Sequence, residues 1–167
     1  MSSNITIVGF TGSVRAESHN KAALRLAQEL LPANVTLEIL DIETLAVNED
    51  AVRDFNEKVD QASALVIATP EYKGLLSRVL KNALSLVTLD TLAGKPTAII
   101  GIGRSNDAGR EHELLRARLA ELHAAVLDEQ VSIPAHQLAD EATHRQIRAL
   151  LAALLERVEE STTALAG

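Results

Sequence analysis

Two kinds of apolar pattern alternate along the chain. Short, nearly continuous apolar runs, typical of buried strands, are each followed by a segment whose apolar residues recur every three or four positions, which is typical of amphipathic helices. Pro32 closes the first periodic segment, and Pro70 ends the third apolar run. The pattern predicts strands at residues 5–10, 35–40, 64–69, 96–102 and 126–133, and helices at 21–31, 51–62, 75–87, 111–125 and 139–165.

Strict alternation of strands and helices predicts a parallel sheet, because parallel neighbours are joined by helical crossovers. Continuous apolar strands indicate burial on both faces of that sheet. We therefore expect an α/β fold, a doubly wound five-stranded parallel sheet with helices on both faces, in one domain over residues 1–167. Ligands of such sheets bind beyond the carboxyl ends of the strands. The candidate binding loops are residues 10–20, 70–74 and 102–110.

Composition excludes several function classes. The 16 basic and 23 acidic residues give a net charge of −7, which argues against a nucleic-acid binder. No apolar run approaches the roughly 18 residues of a membrane span, and the first residues lack the basic charge of a signal peptide, so we expect a cytoplasmic protein. Because the chain has no cysteine, any redox chemistry needs a bound cofactor.

The five histidines show no metal-binding spacing, so no metal site is expected.

The loop after the first strand is rich in hydroxyl groups. It reads Gly12-Ser13-x-Arg15-x-x-Ser18-x-Asn20 and precedes a helix. Helix-start amides, hydroxyls and a guanidinium group suit a terminal phosphate. The alternative is an ordinary helix cap at Ser18 or Asn20 with a solvated Arg15. The glycine-rich dinucleotide fingerprint is missing here, and the chain has no P-loop.

The loop after the third strand reads Thr69-Pro70-Glu71-Tyr72-Lys73-Gly74 and holds the chain's only tyrosine. Proline stops the strand, and the glycine permits a tight turn or a close ligand approach. Such a loop could bind the polar edge of a flat heterocycle. The alternative is a plain turn with a surface tyrosine.

Both loops, together with Val79-Leu80-Lys81-Asn82-Ala83-Leu84, resemble the NADPH-dependent FMN reductase family. The resemblance implies a flavodoxin-like fold and an oxidoreductase that passes a hydride from NADPH or NADH through FMN to a free flavin, a quinone or a similar small acceptor. It also implies a homodimer or homotetramer. No catalytic acid or base is expected. By resemblance, the FMN phosphate would be bound by Ser13, Arg15, Ser18 and Asn20, and the ring would be flanked by Pro70, Glu71, Tyr72 and Gly74.

The chain departs from the family pattern at three points. Lys73 stands where asparagine is more frequent, and the Tyr72-Lys73 pair resembles the branch that supplies reduced FMN to sulfonate monooxygenases. A flavin-dependent monooxygenase is therefore among the expected partners, and Lys73 would either stabilise the reduced ring or face solvent. Ser85-Leu86 replaces a frequent acid-tryptophan pair. The third departure is in the third loop, residues 102–110, where Arg104 would contact the phosphates of NAD(P)H or be solvated.

Two rival classes remain open. One is a non-catalytic electron carrier like flavodoxin, and the other is a binding protein that has lost its flavin. Arg15 and the scarcity of aromatic residues favour the reductase over the carrier. The apolar stripe of the third predicted helix is two residues wide, so we expect it to pack in the core and also to form a homodimer contact. Its residues are Leu75, Leu76, Val79, Leu80, Ala83, Leu84 and Val87.

Overall fold

A parallel sheet forms the centre of the fold. The computed structural model describes residues 4–12, 18–70, 75–103 and 109–166, and the side chains as far as residue 163. The strand order is β2-β1-β3-β4-β5, and β6 also pairs with β4. All of these pairs are parallel, which confirms the predicted sheet. The strands are β1 (Ile5–Thr11), β2 (Val35–Ile39), β3 (Ala64–Pro70), β4 (Pro96–Gly103), β5 (Ala125–Val126) and β6 (Val131–Pro134).

Helices cover both faces of the sheet, as predicted. Helices α1 and α6 pack on one face, where Leu24 and Ile147 join the core with Val66 and Ile100. Helices α2, α3 and α5 pack on the other face, where the core contains Ile67 and residues of each of these helices. The helices of the described residues are α1 (His19–Leu30), α2 (Glu49–Gln61), α3 (Arg78–Leu86), α4 (Leu89–Leu92), α5 (Gly109–Glu121) and α6 (Glu141–Ala166), and a 3-10 turn lies at Ala135–Gln137.

The fifth predicted strand, 126–133, is interrupted. β5 pairs with the start of β4, β6 pairs with its end, and residues 127–130 lie between them. Asp128, Glu129 and Gln130 are consecutive and exposed. Three polar side chains in a row cannot alternate between two buried faces, so the chain leaves the sheet and returns to it.

Two helix predictions also differ from the structure. The predicted helix 111–125 ends at Glu121, because His123 adopts a left-handed backbone conformation with φ of 62°. The predicted helix 75–87 begins at Arg78, where the Ser77 hydroxyl accepts a hydrogen bond of 3.2 Å from the Leu80 amide. The four-residue helix α4 was not predicted, since so short a segment shows no helical period.

Within residues 4–12, 18–70, 75–103 and 109–166, no helix combines the length and the apolar character needed to cross a membrane.

Candidate functional site

The three predicted binding loops leave the sheet at neighbouring points. Thr11 at the end of β1 pairs with Ala68, and Thr69 near the end of β3 pairs with Gly101. Strands β1, β3 and β4 therefore end side by side at one edge of the sheet. From this edge the chain enters residues 13–17, 71–74 and 104–108. The fold thus gathers the starts of the three loops, which is the arrangement expected of a ligand site in a parallel sheet.

Only part of the predicted site lies in the described residues. Ser18, Asn20 and Pro70 are described, and Pro70 is the last residue of β3. Seven predicted site residues lie outside the described ranges, and their roles stay predictions: Ser13, Arg15, Glu71, Tyr72, Lys73, Gly74 and Arg104.

Ser18 starts α1. Its hydroxyl accepts a hydrogen bond of 3.1 Å from the Lys21 amide, so Ser18 is the N-cap residue of that helix. The alternative interpretation of Ser18 as a helix cap is therefore correct. It is compatible with phosphate binding, because one bonded amide leaves the other N-terminal amides and the positive end of the helix dipole.

Asn20 is buried in the first turn of α1, with 6% of its surface exposed. Its Oδ1 atom has no hydrogen-bond partner among the described residues. Buried side-chain oxygens are rarely left unpaired in folded proteins. A ligand hydroxyl could donate a hydrogen bond to this oxygen. If the side-chain amide is rotated by 180°, its NH2 group would instead donate to a phosphate oxygen. FMN carries both groups, so Asn20 fits this cofactor.

Gly12 and Ser77 approach each other very closely. A Cβ atom added to Gly12 would overlap the Ser77 hydroxyl oxygen and would lie 3.1 Å from the Cβ of Leu80. Gly12, the last described residue before residues 13–17, therefore lies directly against the first turn of α3. Only glycine permits this approach, because any side chain would push the β1 end and α3 apart.

Two further polar residues are buried near this edge. Thr69 is 2% exposed, and its Oγ1 has no partner among the residues described. His112 of α5 is fully buried, and within the described ranges neither ring nitrogen has a hydrogen-bond partner. Burial lowers the pKa of His112, and the nearby positive charge of Arg116 lowers it further, so the imidazole is neutral at pH 7. Sequence reasoning missed His112, whose only signal is its position three and seven residues before Leu115 and Leu119.

The first turn of α5 holds a buried carboxylate. Glu111 is buried, and its Oε2 lies 2.8 Å from the point where a Cβ on Gly109 would stand. Gly109 has a φ of 66°, a conformation that favours glycine. A carboxylate at this position is stabilised by the positive end of the helix dipole. Over the described part of the chain, no three His, Asp or Glu side chains are grouped so as to hold a metal ion.

Solved structures share this fold. The flavoenzyme NAD(P)H:(acceptor) oxidoreductase FerB of Paracoccus denitrificans superposes with a TM-score of 0.80 at 21% identity, over 93% of this chain and 98% of that one. A flavodoxin from the domain Archaea gives a TM-score of 0.66 at 11% identity, over 93% and 99% of the two chains. At these identities the likeness shows the fold alone. The fold and the loop arrangement define a flavodoxin-like α/β protein, as predicted.

The family follows from sequence. Residues 5–137 match the family model described as NADPH-dependent FMN reductase, and the chain belongs to that family. An NAD(P)H-dependent FMN reductase of Pseudomonas aeruginosa is 38% identical over 128 residues, which are 68% of this chain and 69% of that protein. A quinone reductase of Pseudomonas putida is 30% identical over 115 residues, or 61% and 62% of the two chains.

Membership confirms the class inferred from the sequence. The chain is an oxidoreductase of the flavin-dependent, NAD(P)H-dependent kind, with FMN as cofactor. Asn20 and the capped start of α1, both at the sheet edge, are consistent with that cofactor.

Proposed function

We propose that this protein is an NAD(P)H-dependent FMN reductase that binds FMN across the carboxyl edge of its sheet and reduces a free flavin, a quinone or a similar small acceptor. The observation that carries the proposal is the family match over residues 5–137, which includes both predicted FMN-binding loops. The convergence of these loops at the ends of β1 and β3 supports it. The relatives named as FMN and quinone reductases support the acceptor class.

FMN, when bound, supplies the chemistry by taking a hydride from NAD(P)H and passing on both electrons. The protein binds and orients the reactants. In this proposal the start of α1, with Ser13, Arg15, Ser18 and Asn20, binds the phosphate, because helix-start amides and a guanidinium group both favour an anion.

The second loop, Pro70 with residues 71–74, flanks the flavin ring. Within that loop, Lys73 favours the reduced ring through Coulomb attraction. Arg104, from the third loop, meets the phosphates of NAD(P)H. Delivery of reduced FMN to a monooxygenase rests on the Tyr72-Lys73 resemblance alone, and the acceptor assay below distinguishes it.

We also propose a homodimer formed through a half-buried face of α3, which packs only partly against the core of the single chain. The residues of the predicted apolar stripe fall into a buried set and a more exposed set. Leu76, Leu80, Ala83, Leu84 and Val87 are buried in the core, whereas Leu75 is 55% exposed. Val79, Asn82 and Leu86 are half-buried at positions i, i+3 and i+7 of one helix face.

A second copy of the chain fits this surface. An apolar face with a single amide in its middle suits a contact about a twofold axis. In such a dimer the Asn82 side chains of the two subunits would contact each other.

A cytoplasmic location completes the proposal. A reductase that consumes NAD(P)H needs a compartment in which this reductant is regenerated.

The test begins with the absorbance of the purified protein during an FMN titration, followed by anaerobic addition of NADPH. A reductase binds FMN and loses its flavin absorbance with NADPH alone, whereas an electron carrier needs a partner enzyme. Subsequent additions of benzoquinone, of free FMN and of a flavin-dependent monooxygenase identify the acceptor. A protein that does not bind FMN contradicts the proposal and indicates the class that has lost flavin.

The matched variants are Arg15→Ala and Ser18→Ala. We expect each to weaken FMN binding by about tenfold, the loss of one charge-assisted hydrogen bond. Arg148→Ala, an exposed arginine on α6, is the control and should bind FMN as the parent does.

A further inference from the structure

The first turn of α3 lies beside the point where the chain enters the predicted phosphate loop. Gly12 at the end of β1 has no room for a Cβ, because the Ser77 hydroxyl and Leu80 occupy that space. Ser77 is the N-cap residue of α3. Gly12 and the capped start of α1 at Ser18 bound residues 13–17. The N-terminal end of α3 therefore lies against Gly12, the last described residue before this segment, and the N-terminal end of α1 begins directly after it.

Thr69 supplies an independent observation on the same face of the sheet. It follows Ile67 by two residues, and Ile67 packs in the core with Leu80 of α3, so strand alternation places Thr69 on the α3 side. Gly12 follows Thr11, the partner of Ala68, so Gly12 and Thr69 are neighbours at the ends of β1 and β3. Thr69 is 2% exposed, and its hydroxyl has no partner among the described residues. A buried hydroxyl of this kind is available to a ligand group.

The distribution of acidic residues at the helix starts also indicates that a ligand anion lies near α1 and α3. Among the six described helices, α2, α4, α5 and α6 each carry an acidic residue in the first turn, which offsets the positive end of the helix dipole. Helices α1 and α3 carry none. Helix α1, which follows residues 13–17 in the chain, and helix α3, which contacts Gly12, are thus the two whose positive ends are not offset within their own first turn.

We propose that Ser77, Thr69 and the first turn of α3 form a second wall of the FMN phosphate pocket, opposite the start of α1, and that this wall sets the preference for FMN over unphosphorylated riboflavin. The inference rests on the proposed function, because it assigns a role within the same site. Ser77 is a positioning residue: its hydroxyl accepts from the Leu80 amide and holds the helix start in place. Thr69 contributes a hydroxyl donor to the phosphate.

The test compares Ser77→Asp with Ser77→Asn. The two side chains have nearly the same size, and both cap a helix well, so they differ mainly in charge. Dissociation constants for FMN and for riboflavin are measured by flavin fluorescence. We expect Ser77→Asp to bind FMN at least tenfold more weakly than Ser77→Asn, whereas riboflavin binds equally to both within about twofold. The difference should shrink at high salt, which screens charges near the surface.

Thr88→Asp and Thr88→Asn are the control pair. Thr88 is the N-cap residue of α4, which lies beyond the far end of α3. The same change of charge there should leave the FMN affinity unaltered. Equal FMN affinity for the two Ser77 variants overturns the inference while leaving the proposed function intact. A parent protein that does not bind FMN overturns the proposed function first.

A milder substitution, Thr69→Val, tests the same inference if the Ser77 variants do not fold. Thr69→Val keeps the volume and removes the hydroxyl that lacks a partner, so it should not lower the free energy of unfolding. We expect it to weaken FMN binding about fivefold and to leave riboflavin binding unchanged. An equal loss of affinity for both flavins, or no loss for either, overturns the role of this wall.

Discussion

The imidazole of His112 covers Gly101 in β4, and its Cδ2 atom lies 3.7 Å from the point where a Cβ on Gly101 would stand. The Ser132 hydroxyl oxygen is equally close to that point. Burial, and then the charge of Arg116, lower the pKa of His112 in the folded protein. The unfolded chain has the ordinary histidine pKa of about 6.5.

The acid stability of the protein should therefore depend on His112. Between the two pKa values the unfolded chain binds a proton that the folded protein does not, so the free energy of unfolding falls as the pH drops through this window. The slope from one proton is at most about 1.4 kcal/mol per pH unit. His112→Leu should reduce the slope of the parent below pH 7 and preserve stability at pH 8, measured by urea unfolding. Identical slopes for parent and variant would contradict this account.

Lys95 links the start of β4 to the end of α2. Its Nζ donates to the carbonyl oxygens of Val59 and Asp60, the second at 3.0 Å. The side chain is partly buried, and this burial lowers the pKa of Lys95. Lys95→Met keeps much of the apolar stem and removes the Nζ donor from both carbonyls, of which that of Val59 keeps a hydrogen bond from the Ala62 amide. We expect a loss of about 1–3 kcal/mol in the free energy of unfolding. Arg148→Met, at an exposed site on α6, should change it by less than about 0.5 kcal/mol.

His123 ends α5 in a conformation that suits glycine. Its φ is 62°, and the next residue, Ala124, donates to the Leu119 carbonyl at 3.1 Å, which closes the helix end. His123→Gly removes the steric cost of the left-handed backbone, which outweighs the added freedom of the unfolded chain. We expect the free energy of unfolding to rise by about 0.5–1 kcal/mol. His144→Gly, inside α6, should lower it by about 0.5 kcal/mol, the difference in helix propensity between the two residues. A destabilised His123→Gly would show that the imidazole itself stabilises this turn.

Local patterns explain what could be predicted from the sequence. The apolar runs of β1, β3 and β4 are continuous and buried on both faces, so their positions follow from residue type alone. The interruption at 127–130 could also have been read from three consecutive polar residues. The contact between Gly12 and Ser77 joins residues 65 positions apart and leaves no trace in either local sequence. The burial of His112 likewise depends on the packing of α5 against β4, which the helical period alone does not specify.

The half-buried face of α3 gives the last prediction. Val79 and Leu86 each lie about one turn from Asn82, on either side of it along the same face, and are half-buried in the single chain. If a second copy covers them, a carboxylate at either position would be buried without a partner in the dimer, which costs several kcal/mol. Val79→Glu and Leu86→Glu should therefore raise the dimer dissociation constant at least 100-fold, measured by light scattering over a dilution series. Val47→Glu is the control, because Val47 is 87% exposed and lies outside this surface. A parent protein with the mass of one chain at micromolar concentration would reject the dimer, and helical content by circular dichroism would show that each variant is folded.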